Sequence, residues 1–154
     1  MKNFGWRPGL AMNCAEVCID ISNLSHYLYL SFDWTKEYIK KVALEIMEEL
    51  YTYYTDKDYT SNPYLDLDRL GDLFEKIGDR QKAIAIHRFA IPYEQGLSIL
   101  NTAKCFALLY DDRQYQEALA VYEVLQKTGI DLEKEFPDFV RGYKDCRHIL
   151  GYED

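Results

Sequence analysis

Two stretches of the chain decide the fold: LDRLGDLFEKIGDRQKAIAIHRFA at residues 67–90 and AKCFALLYDDRQYQEALAVYEVL at residues 103–125. In each stretch, apolar residues recur three or four positions apart, which is the spacing of an amphipathic helix. A short polar break divides each stretch in two, at Gly78 and Asp79 in the first and at residues 111–113 in the second. Because connections this short force consecutive helices to lie antiparallel, the sequence predicts two helix hairpins.

The two hairpins also match each other, at an offset of 36 residues in the first helix and 35 in the second. Small residues recur at matched positions, Gly71 with Ala107 and Ala83 with Ala118, where they allow two helices to cross closely. This pattern resembles the tetratricopeptide repeat, whose period is ~34 residues. The resemblance covers residues 67–125 and implies that the hairpins stack side by side and leave a ligand-facing inner wall.

The rest of the chain predicts helices that cover this stack. Residues 34–54 form a long amphipathic pattern, and residues 136–150 form a last one. Residues 11–32 favour a helix, but their alternation leaves a small β-hairpin at 15–32 open. Within the repeats, the predicted helices are 65–77, 80–89, 95–110 and 114–127. The predicted fold class is therefore all-α, an antiparallel helix-hairpin stack of about two repeats with flanking N-terminal and C-terminal helices.

No low-complexity linker divides the chain, so we predict a single helical domain over residues 1–154. Its predicted parts are an N-terminal arm (1–12), an N-terminal helical region (13–62), two helix pairs (63–127) and a C-terminal capping helix (136–150).

The charge balance limits the choice of partner. Asp and Glu number 26 against 18 Lys and Arg, which gives a formal net charge of −8. Nucleic acids and anionic membranes need a basic surface, so neither is expected as a direct partner. The chain has no apolar run of ~18 residues and no signal-peptide pattern, and its four cysteines form no disulfide framework. The expected compartment is cytoplasmic, in the protein's own cell or in a host cell.

No motif indicates catalysis or a bound metal. Cys14, Cys18 and His26 lack the spacing and the fourth ligand of a zinc site. The polar loop from Asp56 lacks the glycine and the bidentate glutamate of a calcium loop. Glycine-rich phosphate loops and serine-nucleophile motifs are also absent from the sequence. We therefore expect no enzymatic activity, no metal and no cofactor.

Acidic residues on the first repeat helix are the candidate contact surface. Asp68, Asp72 and Glu75 share one helical stripe, which the resemblance places on the inner wall. At an offset of 36 residues, the matching positions of the second repeat are Lys104, Leu108 and Asp111. Opposite charge steers association, so a basic protein or peptide segment is the predicted ligand. A solvated helix face is the alternative explanation. The 14 tyrosines are compatible with core filling or with a contact surface.

The sequence thus predicts a non-catalytic protein-interaction module that binds a basic segment through an acidic helical face. One alternative is a small acidic inhibitor of a nucleic-acid-processing partner, of the toxin-immunity or phage anti-defence (anti-CRISPR) type, because carboxylates can occupy a channel built for phosphates. A structural homodimer is the other.

Overall fold

The computed structural model of the chain describes residues 7–27 and 33–152. All regular structure within these ranges is helical, and no strand occurs in them. The helices are α1 (Pro8–Tyr27), α2 (Asp33–Tyr54), α3 (Tyr64–Lys76), α4 (Arg80–Glu94), α5 (Leu100–Asp111), α6 (Tyr115–Gln126), α7 (Leu132–Glu135) and α8 (Pro137–Ile149). The prediction of an all-α fold is confirmed. None of the helices in the described part of the chain is long and apolar enough to cross a membrane.

The N-terminal region is more helical than the sequence predicted. Residues 15–27 of the possible β-hairpin lie in α1, and residues 28–32 lie outside the described residues. Helix α1 begins at Pro8, within the predicted arm of residues 1–12. Proline suits the first position of a helix because the N–H that it lacks would have no helical partner there. The predicted helix at 34–54 corresponds to α2.

The boundary between α4 and α5 also differs from the prediction. Helix α4 runs through Pro92, where the pattern predicted a break, and ends at Glu94. Residues 95–99 then form a turn in which Gly96 adopts a φ of +76°, a conformation that glycine reaches without strain. Helix α5 therefore begins at Leu100 and is shorter than predicted.

The chain divides into two compact units, Met1–Ala83 and Ile84–Asp154, and the division falls within α4. In the first unit, α1 and α2 pack against each other as a hairpin, and α3 packs against both. In the second unit, α5 and α6 form a hairpin, and α8 packs against both. Each unit thus repeats one packing order, in which a hairpin is covered by the next long helix, as in helical-repeat proteins. That residues 1–154 form a single domain stays a prediction.

Each unit has its own apolar core. The largest fully buried side chains of the first unit are Met12, Ile19, Ile46, Met47, Leu50, Leu67, Leu70, Leu73 and Phe74. At the centre of the second unit, the ring of Phe106 lies 5.5 Å from those of both Tyr122 and Phe139. Gly142 allows α8 to approach this ring closely, since a Cβ there would lie 3.3 Å from Phe106 Cζ.

The same turn ends three of the helices. Asp79 N–H donates to the Phe74 carbonyl at 2.9 Å after α3, and Gln114 N–H donates to the Leu109 carbonyl at 2.9 Å after α5. Tyr152 closes the same turn after α8. One left-handed residue precedes each donor: Gly78 (φ +93°), Arg113 (φ +62°) and Gly151 (φ +76°). This glycine-type cap is a common way to end a helix, and its occurrence after both α3 and α5 is compatible with a helical repeat.

These turns correct the register of the repeat. Phe74 matches Leu109, so the offset is 35 residues in the first helix as well as in the second. The expected offset of 36, which matched Phe74 with Tyr110, was wrong at this point. Burial agrees with the corrected register, because Phe74 and Leu109 are both fully buried whereas Tyr110 is only half-buried. The capping turn determines where each helix ends, and the apolar spacing alone did not locate it.

Candidate partner-binding surface

Helix α1 is apolar on two opposite sides. Its inner side buries Ala11, Met12, Ala15 and Ile19 in the core of the first unit. Its outer side exposes large apolar side chains, listed with their exposed fractions: Leu10 (60%), Val17 (55%), Ile21 (47%) and Leu24 (55%). Single exposed apolar residues are common, but a row of them along one helix is unusual on a protein surface.

The spacing of this row is that of a coiled-coil seam. Leu10, Val17 and Leu24 are seven residues apart, and Cys14 and Ile21 lie between them, so the steps are four, three, four and three residues. This alternation keeps the side chains on one face of a helix, where they can pack between those of a second helix. We call these five residues the α1 stripe.

The charged residues of α1 lie to one side of the stripe and pair with α3. Glu16 forms an ion pair with Arg69, and Asp20 lies 3.6 Å from the Lys76 ammonium. The hydrogen bond from Arg69 lowers the pKa of Glu16. Arg69 Nη2 also donates to Asn13 Oδ1 at 2.7 Å. Since Glu16 and Asp20 are the only Asp, Glu, Lys or Arg side chains of α1, the stripe itself carries no charge.

Cysteines contribute to this face as apolar residues. Cys14 and Cys18 are half-buried, one turn apart on α1. Burial raises the pKa of Cys18, and the neighbouring Cys14 raises it further. A thiol with a raised pKa stays protonated at neutral pH, and it then packs like a small apolar side chain.

The predicted acidic face is only partly exposed. On α3, Asp68 and Asp72 are half-buried and Glu75 is exposed. The corrected offset of 35 residues matches these positions with Ala103, Ala107 and Tyr110, not with the trio predicted on α5. Of that predicted trio, Lys104 is half-buried, Leu108 is a core residue at 4% exposure and Asp111 is exposed. Glu75 and Asp111 are therefore the members of the predicted site that solvent reaches fully.

Sequence reasoning missed the stripe for a physical reason. Periodicity identifies an apolar helix face, but it does not say which of two apolar faces turns to the core. Cys14, Val17 and Ile21 show the helical spacing in the sequence, and that spacing suggested a core face. The sequence feature that could have indicated the stripe is a second row of apolar residues on α1, which includes Ala15 and Ile19.

The tyrosine-rich segment packs largely on itself. The rings of Tyr53, Tyr54 and Tyr59 meet edge to face, with centroids 5.2–5.5 Å apart. Tyr54 is buried, and its burial and its hydrogen bond to Asp66 raise its pKa. Burial likewise raises the pKa of the Asp66 carboxyl. This cluster holds the loop after α2 against the start of α3, and only Tyr53 presents a substantial exposed edge.

A buried polar cluster lies in the second unit. The carboxylate of Glu94 accepts four hydrogen bonds at 2.6–3.1 Å, from the backbone N–H and side chain of both Asn101 and Thr102. The Asn101 amide oxygen lies 2.8 Å from His87 Nδ1. Glu94 therefore caps the amino end of α5 from outside the helix, which satisfies two N–H groups that would otherwise be orphaned. This geometry is that of a structural cap.

The buried thiols are not activated as nucleophiles. Burial raises the pKa of Cys105 to about 11, although Arg88 opposes this shift. Burial also raises the pKa of Cys146. A reactive cysteine needs the thiolate form at neutral pH, which these environments disfavour.

The chain matches no protein-family model, no curated protein and no solved structure. Its function therefore has to be inferred from its own surfaces, of which the α1 stripe is the most distinctive.

Proposed function

We propose that the protein is a non-catalytic interaction module that binds an amphipathic helix of a basic partner protein along the α1 stripe. The observation that carries this proposal is the heptad-spaced row of half-exposed Leu, Val and Ile side chains on the outer side of α1. We also propose that its hairpins belong to the tetratricopeptide-like class, which the 35-residue offset between matching turns supports.

The spacing of the stripe favours a helical ligand. A seam with steps of four and three residues accepts the side chains of another helix, whereas a strand would present side chains every second residue. From Leu10 to Leu24 the stripe is about 21 Å long at 1.5 Å per residue. A partner helix of about four turns would cover it.

The energetics require that the partner contribute apolar side chains of its own. Four large side chains of the stripe are about half exposed. Burying the rest of each would contribute about 3–6 kcal/mol in total, taking ~1.5–3 kcal/mol for full burial of one such side chain. Association itself costs ~4–15 kcal/mol. The stripe alone therefore cannot hold a polar surface, and the ligand must be amphipathic.

Charge favours a basic partner over a second copy of the chain. Each copy carries a net charge of −8, and α1 contains no Lys or Arg. Two copies would repel at long range, whereas a basic protein would be steered toward this surface.

A peptide pair tests this proposal. One probe is a basic peptide of about 20 residues with Leu and Ile at heptad a and d positions, and the other has the same composition in scrambled order. We expect the chain to bind the heptad peptide at least tenfold more tightly, as measured by fluorescence anisotropy.

The matched variants are Leu24→Glu in the stripe and Leu65→Glu outside it, since the two leucines are 55% and 56% exposed. Leu24→Glu should remove the preference for the heptad peptide even though it adds negative charge, and Leu65→Glu should retain it. Equal binding of both peptides by the unchanged protein, or a preference for the heptad peptide that Leu24→Glu retains, would show that net charge and not the α1 stripe is recognised.

The acidic face of α3 is a second contact surface in this proposal. Replacing Asp68, Asp72 and Glu75 by lysine should weaken binding of the heptad peptide and reduce its salt dependence. Unchanged binding would show that α3 does not contact the peptide and that the α1 stripe alone forms the interface.

Inhibition of a nucleic-acid-processing enzyme is a second candidate function, favoured by the net charge of −8. It predicts stoichiometric binding that displaces nucleic acid from such an enzyme. Leu24→Glu should leave that displacement intact, whereas the α3 charge reversal should abolish it.

A further inference from the structure

Lysines converge on a pocket of the first unit. The pocket lies between α1, α2 and α3, has a volume of about 180 Å³, and is lined by Lys36 and Lys40 of α2 and by Lys76 of α3. Among the described residues that line it, Glu37 is the one acidic side chain. Three lysine side chains thus line this pocket in a chain whose net charge is −8.

The positions of the two α2 lysines are unfavourable for the helix alone. Lys36 and Lys40 lie four residues apart near the amino end of α2. Like charges at this spacing repel, and the amino end of a helix disfavours cations. The two lysines are half-buried at the pocket wall, so solvent screens this repulsion less than it would for fully exposed side chains. A bound anion would remove this cost.

The remaining lining fits a small oxyanion. Ser22, whose side chain is buried, and Asn23 add a hydroxyl and an amide to the wall. The Asn23 amide can donate a hydrogen bond to an anion oxygen. The volume of about 180 Å³ leaves room for a group of the size of phosphate.

We propose that this lysine pocket binds a phosphate dianion, either free or as the terminal group of a small phosphomonoester. Lys36 and Lys40 supply charge from one wall and Lys76 from the other. The ammonium of Lys76 also lies 3.6 Å from Asp20 and 4.0 Å from Glu16, so Lys76 contributes less net charge to the pocket than the two α2 lysines. The site goes beyond the proposed interaction function, because it does not include the α1 stripe.

Titration of the full chain with inorganic phosphate tests the site, followed by backbone amide NMR shifts. We expect saturable shifts at Ser22, Asn23 and the start of α2. Lys36→Gln and Lys40→Gln should each weaken binding about tenfold, which is the scale of losing one charged hydrogen bond. The matched control is Lys41→Gln, which removes the same charge from the same helix at an exposed position outside the pocket. It should change binding less than twofold.

A parallel titration with O-phosphoserine separates the two sources of phosphate. Comparable affinity for both probes assigns the pocket to the phosphate group of a larger molecule, and binding of inorganic phosphate alone assigns it to the free anion. A second readout needs no ligand, since Lys40→Gln should raise the melting temperature by relieving repulsion with Lys36. Non-saturable shifts in the unchanged protein, or an equal loss in Lys41→Gln, would overturn the proposal.

Discussion

Removal of the Glu94 carboxylate should destabilise the second unit by about 3–5 kcal/mol. Glu94 is 1% exposed and accepts hydrogen bonds from Asn101 N–H at 2.9 Å and from Thr102 N–H at 2.7 Å. In Glu94→Ala both N–H groups would remain buried without an acceptor, at about 1–3 kcal/mol each. The small cavity and the lost side-chain bonds add to this cost. The total is a large part of a typical stability of ~5–15 kcal/mol.

Glu94→Gln separates the charge of the cap from its shape. The amide keeps one acceptor oxygen but turns an NH₂ group toward donors, so we expect a loss of about 1.5–3 kcal/mol, smaller than that of Glu94→Ala. Urea unfolding followed by circular dichroism measures both variants, with an unchanged m value as the sign of a pure stability change. Glu123→Ala, at an exposed glutamate on α6, should stay within about 0.5 kcal/mol. A Glu94→Ala loss as small as that of Glu123→Ala would refute the capping role.

Four further outcomes are expected. Gly78→Ala should lower the free energy of unfolding by about 1 kcal/mol, because φ at this position is +93° although the space around it is open. Arg113→Gly should raise the free energy of unfolding by about 0.5 kcal/mol, because it relieves a φ of +62°. Urea unfolding measures both changes. Glu16→Gln should lower the free energy of unfolding by less than about 1 kcal/mol at pH 7. The pKa of Glu16 is lowered in the folded state, so its contribution to stability is present above the unfolded pKa and is lost as the pH falls through the folded pKa. The difference in unfolding free energy between Glu16→Gln and the unchanged protein should therefore shrink as the pH is lowered, and a constant difference would contradict the ion pair with Arg69. Cys105, with a pKa of about 11, should resist iodoacetamide at pH 8 until the protein unfolds, as mass spectrometry would show; alkylation of the native protein would contradict its burial.

Local chemistry made part of the fold predictable. Gly78 and Asp79 mark a helix boundary by themselves, because glycine reaches the left-handed turn and the Asp79 carboxylate accepts from Lys82 N–H at 3.0 Å. The equivalent turn at Arg113 carries no glycine, so no residue marks it, and the first helix of the second hairpin was matched one residue too far along the chain.

Tertiary contacts decided what the sequence could not. Pro92 usually signals the end of a helix, yet α4 continues to Glu94, whose carboxylate then caps α5. The pattern of α1 predicted a helix, but only packing shows that Ile19 faces the core while Val17 faces outward. For the same reason Leu108 was predicted as a contact residue and lies in the core. Which side of a helix is free depends on its neighbours, and those are not encoded in its own spacing.

Site-specific photocrosslinking tests the central claim most directly. A photoreactive amino acid at Val17 in the stripe, with one at Leu65 as the matched exposed control, would be irradiated in the native cell, and the crosslinked peptides would be identified by mass spectrometry. The proposal predicts that Val17 crosslinks to a segment with heptad apolar spacing and net positive charge, and that the purified segment binds the chain but binds Leu24→Glu at least tenfold more weakly. Crosslinks from Val17 to a second copy of the chain, or crosslinks no stronger than those from Leu65, would contradict it.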